Sequence, residues 1–310
     1  ATLNPQLVVF KKRRVDHGFL GYVVVSEAFQ NQLSSTVVGG ALPTLSQKEV
    51  ASYRFACPNS GDEQRAIAEA LGNADARIAA LEAVIAKKRD LKQAAMQQLL
   101  TGTTRLPGFS GEWEARMLGS VTGFITKGAT PTTYGFNWQS HGVLFLRSEC
   151  VSNHGLNLSQ SMFISEEAHG TLKRGEVQSG DILITITGNV GRVVRLPDSF
   201  GVANINQHIA RIRVRVDEAS GDYVYHQLSQ PRYIKYFNSI VTGQAYPQIS
   251  LRQVRDTVVP FPSIEEQTAI AEILSDMDAD IAALEAEAAK ARAIKQGMMQ
   301  TLLTGQVRLV

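Results

Sequence analysis

Residues Glu63–Leu106 and Glu266–Leu309 are one sequence written twice. At a constant offset of 203, 28 of 44 positions are identical. A duplication on this scale constrains the fold more than any single motif, because both copies must solve the same packing problem. Each copy begins like a helix. "PNSGDEQRAIAEAL" offers Ser60 or Asp62 as capping oxygen, and "PSIEEQTAIAEIL" offers Ser263 with Glu266 three residues on. Each copy closes on Leu-Leu-Thr-Gly, and Gly102 and Gly305 fit the position after a helix, where a left-handed backbone favours glycine.

Between these ends the apolar residues step by fours and threes. The first copy carries Ile67, Leu71, Ala74, Ile78, Leu81 and Ile85. The second carries Ile270, Leu274, Met277, Ile281, Leu284 and Ala288. So narrow a stripe is a seam for another helix. Helices of roughly 38 residues, on the order of 57 Å long at 1.5 Å per residue, are predicted. Each copy is the other's natural partner. Duplicated elements related by a perpendicular two-fold run in opposite directions, so an antiparallel two-helix coiled coil is expected.

The segment between the helices has a different texture. "GDILITITGNVGRVVRL" reads as strands around a tight turn at Gly188 and Gly191. "INQHIARIRVRV" reads as a strand with Arg211, Arg213 and Arg215 on one face and Ile212, Val214 and Val216 on the other. "DYVYHQLSQPRYIKYFNSIV" has helical spacing broken at Pro231. The duplication also extends upstream of the helices. "VVGGALPTLSQKEVASYRFACPNSGDEQ" parallels "IVTGQAYPQISLRQVRDTVVPFPSIEEQ", matching Pro43 to Pro247, Ser46 to Ser250 and Val50 to Val254, and "FLGYVVVSEAF" takes the place of "DYVYHQLSQPRY". The expected class is α+β. Residues 1–61 form the C-terminal part of a first globular domain, 62–106 a long helix, 107–262 a complete second domain of mixed α/β type, and 263–310 a second long helix. The first domain lacks about its opening hundred residues, as a fragment or a natural truncation would.

Composition narrows the function classes. The formal charge is only +2 over 310 residues, which argues neither for nor against nucleic acid. Its distribution is uneven: six Lys/Arg against three acids in residues 1–61, and four against eight in 263–310. No apolar run reaches the length of a membrane span. Cys57 and Cys150 are solitary, without CxxC or metal spacing, which suits a reducing cytoplasm. No GxxxxGK[ST] loop, no Asp…Glu-x-Lys cluster and no His/Cys set at ligand spacing occurs. The only Asn-Pro, in Asn4-Pro5-Gln6, lacks the aromatic that amino-methyltransferases use against a flipped base. No cofactor and no catalytic residue is expected.

The chain resembles the specificity subunit of type I restriction–modification enzymes. The resemblance rests on the Pro-x-x-x-Glu-Gln-x-x-Ile-Ala-x-x-Leu opening (Pro262, Glu266, Gln267, Ile270, Ala271, Leu274), its twin at Glu63–Leu71, and the Leu-Leu-Thr-Gly ends. "GEWEARMLGSV", "SGDILITITGNVGR" and "GQAYPQIS" add to it, in the same order. It covers essentially the whole chain. It implies a non-catalytic subunit whose target-recognition domains each read half of a bipartite double-stranded DNA site. Two conserved helices would separate them and dock DNA methyltransferase and restriction subunits. A 57 Å spacer would set the half-sites up to about 17 base pairs apart at 3.4 Å per pair. The incomplete first domain departs from the family pattern and bears on whether this chain alone reads both halves.

Bases are read by bidentate groups and phosphates by mobile cations, presented on loops off a rigid sheet. The candidate DNA-binding residues are Lys127, Thr130 and Asn137 in "KGATPTTYGFNWQ", Arg147, Asn189 and Arg192 in "TGNVGR", Arg195, and Asn206, Gln207 and Arg211 in "ANINQHIAR". His208 reads better as a hydrogen-bonded strand histidine, and Trp113 and Leu118 as anchors of the second domain. Two other readings stay open. One is a non-enzymatic scaffold whose paired helices bind protein. The other is a half-subunit that self-associates, as truncated members of the family do.

Overall fold

The structure, a computed structural model, describes residues 14–36, 46–152, 155–243 and 246–309. Pro43 and Asn4-Pro5-Gln6 lie outside them. Along the chain come helices α1 (His17–Val25), α2 (Glu27–Thr36), α3 (Gln47–Ser52) and α4 (Gly61–Leu99). Strands β1 (Glu114–Met117), β2 (Thr122–Lys127), β3 (Val143–Leu146), β4 (Val151–Ser152), β5 (Gly155–Leu156) and β6 (Met162–Ile164) precede α5 (Glu166–Thr171). Then follow β7 (Glu176–Val177), β8 (Ile182–Thr185), β9 (Val193–Arg195), β10 (Ala203–Ile205) and β11 (Ile209–Val214). Helices α6 (Gly221–Leu228), α7 (Pro231–Ser239) and α8 (Leu251–Arg255), strand β12 (Val258–Phe261) and α9 (Ile264–Leu302) complete the order.

Contacts divide the chain into two units, residues 1–89 with 280–310 and residues 90–279. The division passes through both long helices rather than around them, because the two halves of each helix pack with different globular parts. Each helix is 39 residues long. Ser60 accepts from the amides of Asp62 and Glu63, Ser263 accepts from that of Glu266, and Gly102 and Gly305 both take positive φ, 71° and 75°.

In the first unit, Phe19, Val23 and Phe29 bury against Ile67 and Leu71 of α4 and against Leu302 and Leu303 at the end of α9. The helical stretches run antiparallel: Asp75 pairs with Lys295, Glu82 with Arg292 and Arg89 with Glu285, so numbers rise on one helix as they fall on the other. Two of these pairs are reciprocal. Shifting Glu82–Arg292 by the repeat offset gives Glu285–Arg89, as expected for duplicated helices packed head to tail. Ile78, Leu81 and Leu284 are half-buried, and Ile85, Ile281 and Ala288 are buried.

The second unit holds the same antiparallel pairing between the last turns of α4 and the first of α9. Lys92 reaches Asp278, and Arg105 grips Glu266 with two bonds of 2.6 Å. These are the offset images of Asp75–Lys295 and Glu63–Arg308. Ile270 and Leu274 enter the main core with Met96, Leu100, Leu118 and Tyr223, and Met277 packs on its edge. Two four-stranded sheets, ordered β2-β11-β8-β9 and β6-β3-β10-β7, carry the rest of this unit, with a β1-β12 ribbon beside them.

The duplication persists into the small helices. Pro231 opens α7 where the sequence breaks, and α6–α7–α8 match α1–α2–α3 at an offset of 204. Ser46 and Ser250 both build capping boxes, with Glu49 and Gln253. Gln64 accepts from the Asp16 amide and donates to the Pro58 carbonyl, and Gln267 does the same with Ser220 and Pro262.

The expectation for the arginine strand is corrected in part. Strand β11 ends at Val214, leaving Arg215 and Val216 beyond it, and Val216 lies fully in solvent rather than on an apolar face.

Candidate nucleic-acid interface

One end of the second unit gathers the loops that the sequence singled out. After β2 the chain turns at Gly128, whose amide donates to the Asn206 carbonyl at 3.2 Å. A Cβ there would lie 1.6 Å from the Ile205 carbonyl oxygen, so only glycine permits the approach. Two residues on, the Thr130 hydroxyl bonds the Gln207 side-chain oxygen at 2.5 Å. The Asn206 side chain turns back to accept from the His208 amide at 3.0 Å, fixing the bend into β11. The turn between β8 and β9 is tied to the same end: Ile186 donates to the His208 carbonyl and Gly188 to the Pro247 carbonyl, both at 2.9 Å. Positive φ at Gly188 and Gly191 makes the reversal, and Gly191 packs flat on Phe237.

Thr130, Asn206, Gln207 and the Asn189–Arg192 turn are thus brought to one place. Asn189 is exposed and Arg192 half-exposed, and neither side chain has a partner among the described residues. Lys127, exposed at the end of β2, has no ion-pair partner among them either. Tyr246 joins this end. Its ring is 62% exposed and stands edge-on to His208 at 6.2 Å. In the sequence the "GQAYPQIS" loop is a family mark as a whole, and nothing in that mark singles out this residue. An aromatic between Gly243 and Pro247, in a loop with no apolar periodicity, was the available signal.

Four other candidates fall elsewhere. Asn137 is exposed farther along its loop, with its carbonyl accepting from Gln139. Arg147 points both Nε and Nη2 at the Gln160 carbonyl, 3.1 Å each, and Arg195 is held by Asp198 and Asp222, each at 2.9 Å. Arg211 is only 6% exposed. It donates to the Glu176 carbonyl and lies 5.4 Å over the Phe124 ring, and burial, then the charge of Arg213, push its pKa down. Arg213 shares that ring and binds Asp181 through two bonds of 2.6 and 2.7 Å, which raise its pKa. The arginine face of β11 is therefore committed to the exposed Phe124 ring and to Asp181, not a row of mobile cations. Among the described residues no group of three His, Cys, Asp or Glu side chains could hold a metal ion.

The family model for the type I restriction modification DNA specificity domain matches residues 110–293, more than half the chain and all the loops above. This chain belongs to that family. Among curated members, a type I restriction enzyme specificity subunit of Methanocaldococcus jannaschii, MjaX, is 26% identical over 260 residues, covering 80% of this chain and 58% of its own length. The MjaVIII specificity subunit of the same organism is 24% identical, covering 96% of this chain and 72% of its own. The chain thus spans little more than half of the MjaX relative. The fold matches the crystal structure of a type I system S subunit from M. genitalium, with a TM-score of 0.60 at 17% identity, covering 93% of this chain and 73% of that one. A chain from a structural study of complex assembly and conformational transition in the type I system gives 0.57 at 19% identity, covering 94% and 72%. No helix among the described residues is long and apolar enough to cross a membrane.

Proposed function

We propose that this chain is a sequence-specific DNA-binding specificity subunit of a type I restriction–modification system, without catalysis of its own. It reads one half of a bipartite target with the loop end of the second unit, and its paired helices dock DNA methyltransferase and restriction subunits. The observation that carries this is the coincidence of the family match over 110–293 with the loops that meet there. Asn189, Gln207 and Tyr246 supply hydrogen-bonding and stacking groups, Thr130 and the buried Asn206 hold their loops in place, and Lys127 and Arg192 supply cations without an acidic partner among the described residues. Such a set suits base edges flanked by phosphates. Arg147, Arg195 and Arg211 are left out of the reading set, because each is engaged within the fold. Asn137 stays at its margin.

The helices supply a length. Each is continuous over 39 residues, a rise of roughly 58 Å, and this length is assigned to the spacing between half-sites. The test is binding to a randomised duplex pool at two salt concentrations. Enrichment of a defined sequence, with affinity falling as salt rises, is expected. Recovery of no preferred sequence would favour a protein-binding scaffold.

A further inference from the structure

Strand register fixes the width of the loop end of the second unit. Lys127 of β2 stands opposite Ala210 of β11, Ala210 opposite Ile184 of β8, and Ile184 opposite Val193 of β9. These four residues form one row across the sheet, at the end where β2 runs out, β11 begins and β8 turns back into β9. Neighbouring strands lie about 4.8 Å apart, so three steps separate Lys127 from Val193 by about 14 Å. The groups nominated for base edges come off the two inner strands: Gln207 precedes β11 and Asn189 follows β8. The cations come off the two outer ones: Lys127 closes β2, and Arg192 leads into β9.

Each outer strand brings a second cation with it. Beside β2, the Thr126 hydroxyl donates to the Arg174 carbonyl at 3.1 Å. Gly175 packs so closely on Gly128 that a Cβ would lie 2.9 Å from the Gly128 Cα. Arg174 is thereby fixed next to Lys127; it is exposed, and its side chain has no partner among the described residues. Lys173 is set apart from it by Glu176, 3.8 Å away. Beside β9, Gly191 lies on α7, where a Cβ would meet Phe237 at 3.5 Å and the Ile234 Cα at 3.7 Å. Asn238 donates to the Val190 carbonyl at 3.5 Å. This contact sets Lys235, exposed and likewise without a partner among the described residues, next to Arg192. Arg211 and Arg213, on the strand between, are engaged by the Glu176 carbonyl and by Asp181. The unpaired cations therefore fall into two pairs at the outer edges, with uncharged hydrogen-bonding groups between them.

Resting on the DNA-reading assignment above, we propose that Lys127 with Arg174 holds one sugar–phosphate backbone and Arg192 with Lys235 holds the other. The two pairs stand astride a single major groove, with Gln207 and Asn189 over the base edges between. The major groove of B-form DNA is about 12 Å wide and the minor groove about 6 Å. A span of about 14 Å matches the first and is more than twice the second. Phosphate contacts carry no sequence information, so the four cations set the register of the duplex and the inner pair chooses its sequence.

The test uses the full chain and the duplex enriched from the randomised pool. A series of such duplexes carries one neutral methylphosphonate linkage each, at successive positions on both strands. Wild-type binding should weaken at phosphates on both strands that face each other across one major groove. Arg174→Gln should erase sensitivity at phosphates of one strand only, and Lys235→Gln at phosphates of the other only. Each variant should also shrink the affinity lost between 50 and 200 mM salt by about 3.5-fold, the effect of a slope change of about 0.9 over fourfold salt, and leave the enriched sequence unchanged. Sensitive phosphates confined to one strand or facing across the minor groove, or a salt dependence indifferent to both variants, would overturn the two-backbone grip and leave the reading assignment standing. Enrichment of no sequence at all would overturn both.

Discussion

His226 gives the second unit a specific sensitivity to acid. It is 1% exposed on α6, with Nε2 3.1 Å from the Ser275 hydroxyl and Nδ1 without a partner among the described residues. Burial first, and then the charges of Lys92 and Arg195, push its pKa down to about 3 from an ordinary 6.5. At pH 7 the ring is neutral in both folded and unfolded chains. As pH falls through 6.5 the unfolded chain gains a proton that the folded one refuses. Stability is therefore full above that pH and declines below it, levelling off near pH 3. The loss is about 2 kcal/mol at pH 5 and approaches about 5 kcal/mol at pH 3. Both tryptophans, Trp113 and Trp138, lie in this unit, so urea unfolding followed by their fluorescence reports on it. The comparison is the drop from pH 7 to pH 5 in the wild type against the drop in His226→Gln, which keeps a polar group beside Ser275. The variant's drop should be smaller by about 2 kcal/mol, whatever its constant destabilisation. Equal drops would refute the assignment of a buried, proton-refusing imidazole.

Arg105→Ala and Arg308→Ala strand the buried carboxylates of Glu266 and Glu63 in turn, and Arg105→Ala, which breaks the less exposed of the two pairs, should lower the urea midpoint further; midpoints read by circular dichroism compare the two. Lys127→Ala and Arg192→Ala should each weaken duplex binding and lower the slope of log affinity against log salt by about 0.9, read by filter binding at several ionic strengths. Deleting seven residues at matched positions of α4 and α9 keeps the seam in register and should shorten the methylated half-site spacing by about 3 base pairs, from 1.5 Å per residue and 3.4 Å per pair, without changing either half-site sequence.

The helical part of this fold was legible because it is written in local, periodic terms. Heptad steps place Ile67, Leu71, Ile270 and Leu274 inside, serine caps start the helices, and a glycine ends each one. The repeat offset then supplied the antiparallel pairing, since reciprocal ion pairs such as Glu82–Arg292 and Arg89–Glu285 follow from duplication. The candidate interface was less legible. Alternation on β11 correctly put Arg211 and Arg213 on one face, but not what covers that face. Phe124 comes from a strand almost ninety residues upstream, and Asp181 from the turn just before β8. Arg195 likewise met Asp222 from α6, a long-range pairing with no local trace. Short polar loops carry no period, so Asn189 and Gln207 could be nominated by residue type, while Tyr246 could be nominated only once its ring is seen edge-on to His208. The contacts also cut the chain through its helices rather than at their ends. A heptad stripe announces a continuous helix, not which globular part each half supports.

The central claim is that the loop end of the second unit chooses a DNA sequence. The most direct measurement is genome-wide mapping of methylated sites in cells carrying the complete system, with the wild-type chain or with Asn189→Asp and Gln207→Glu introduced there. A change confined to one half of the bipartite motif, with the other half and the spacing kept, is the predicted result. An identical motif from a folded, assembled double variant would contradict the account.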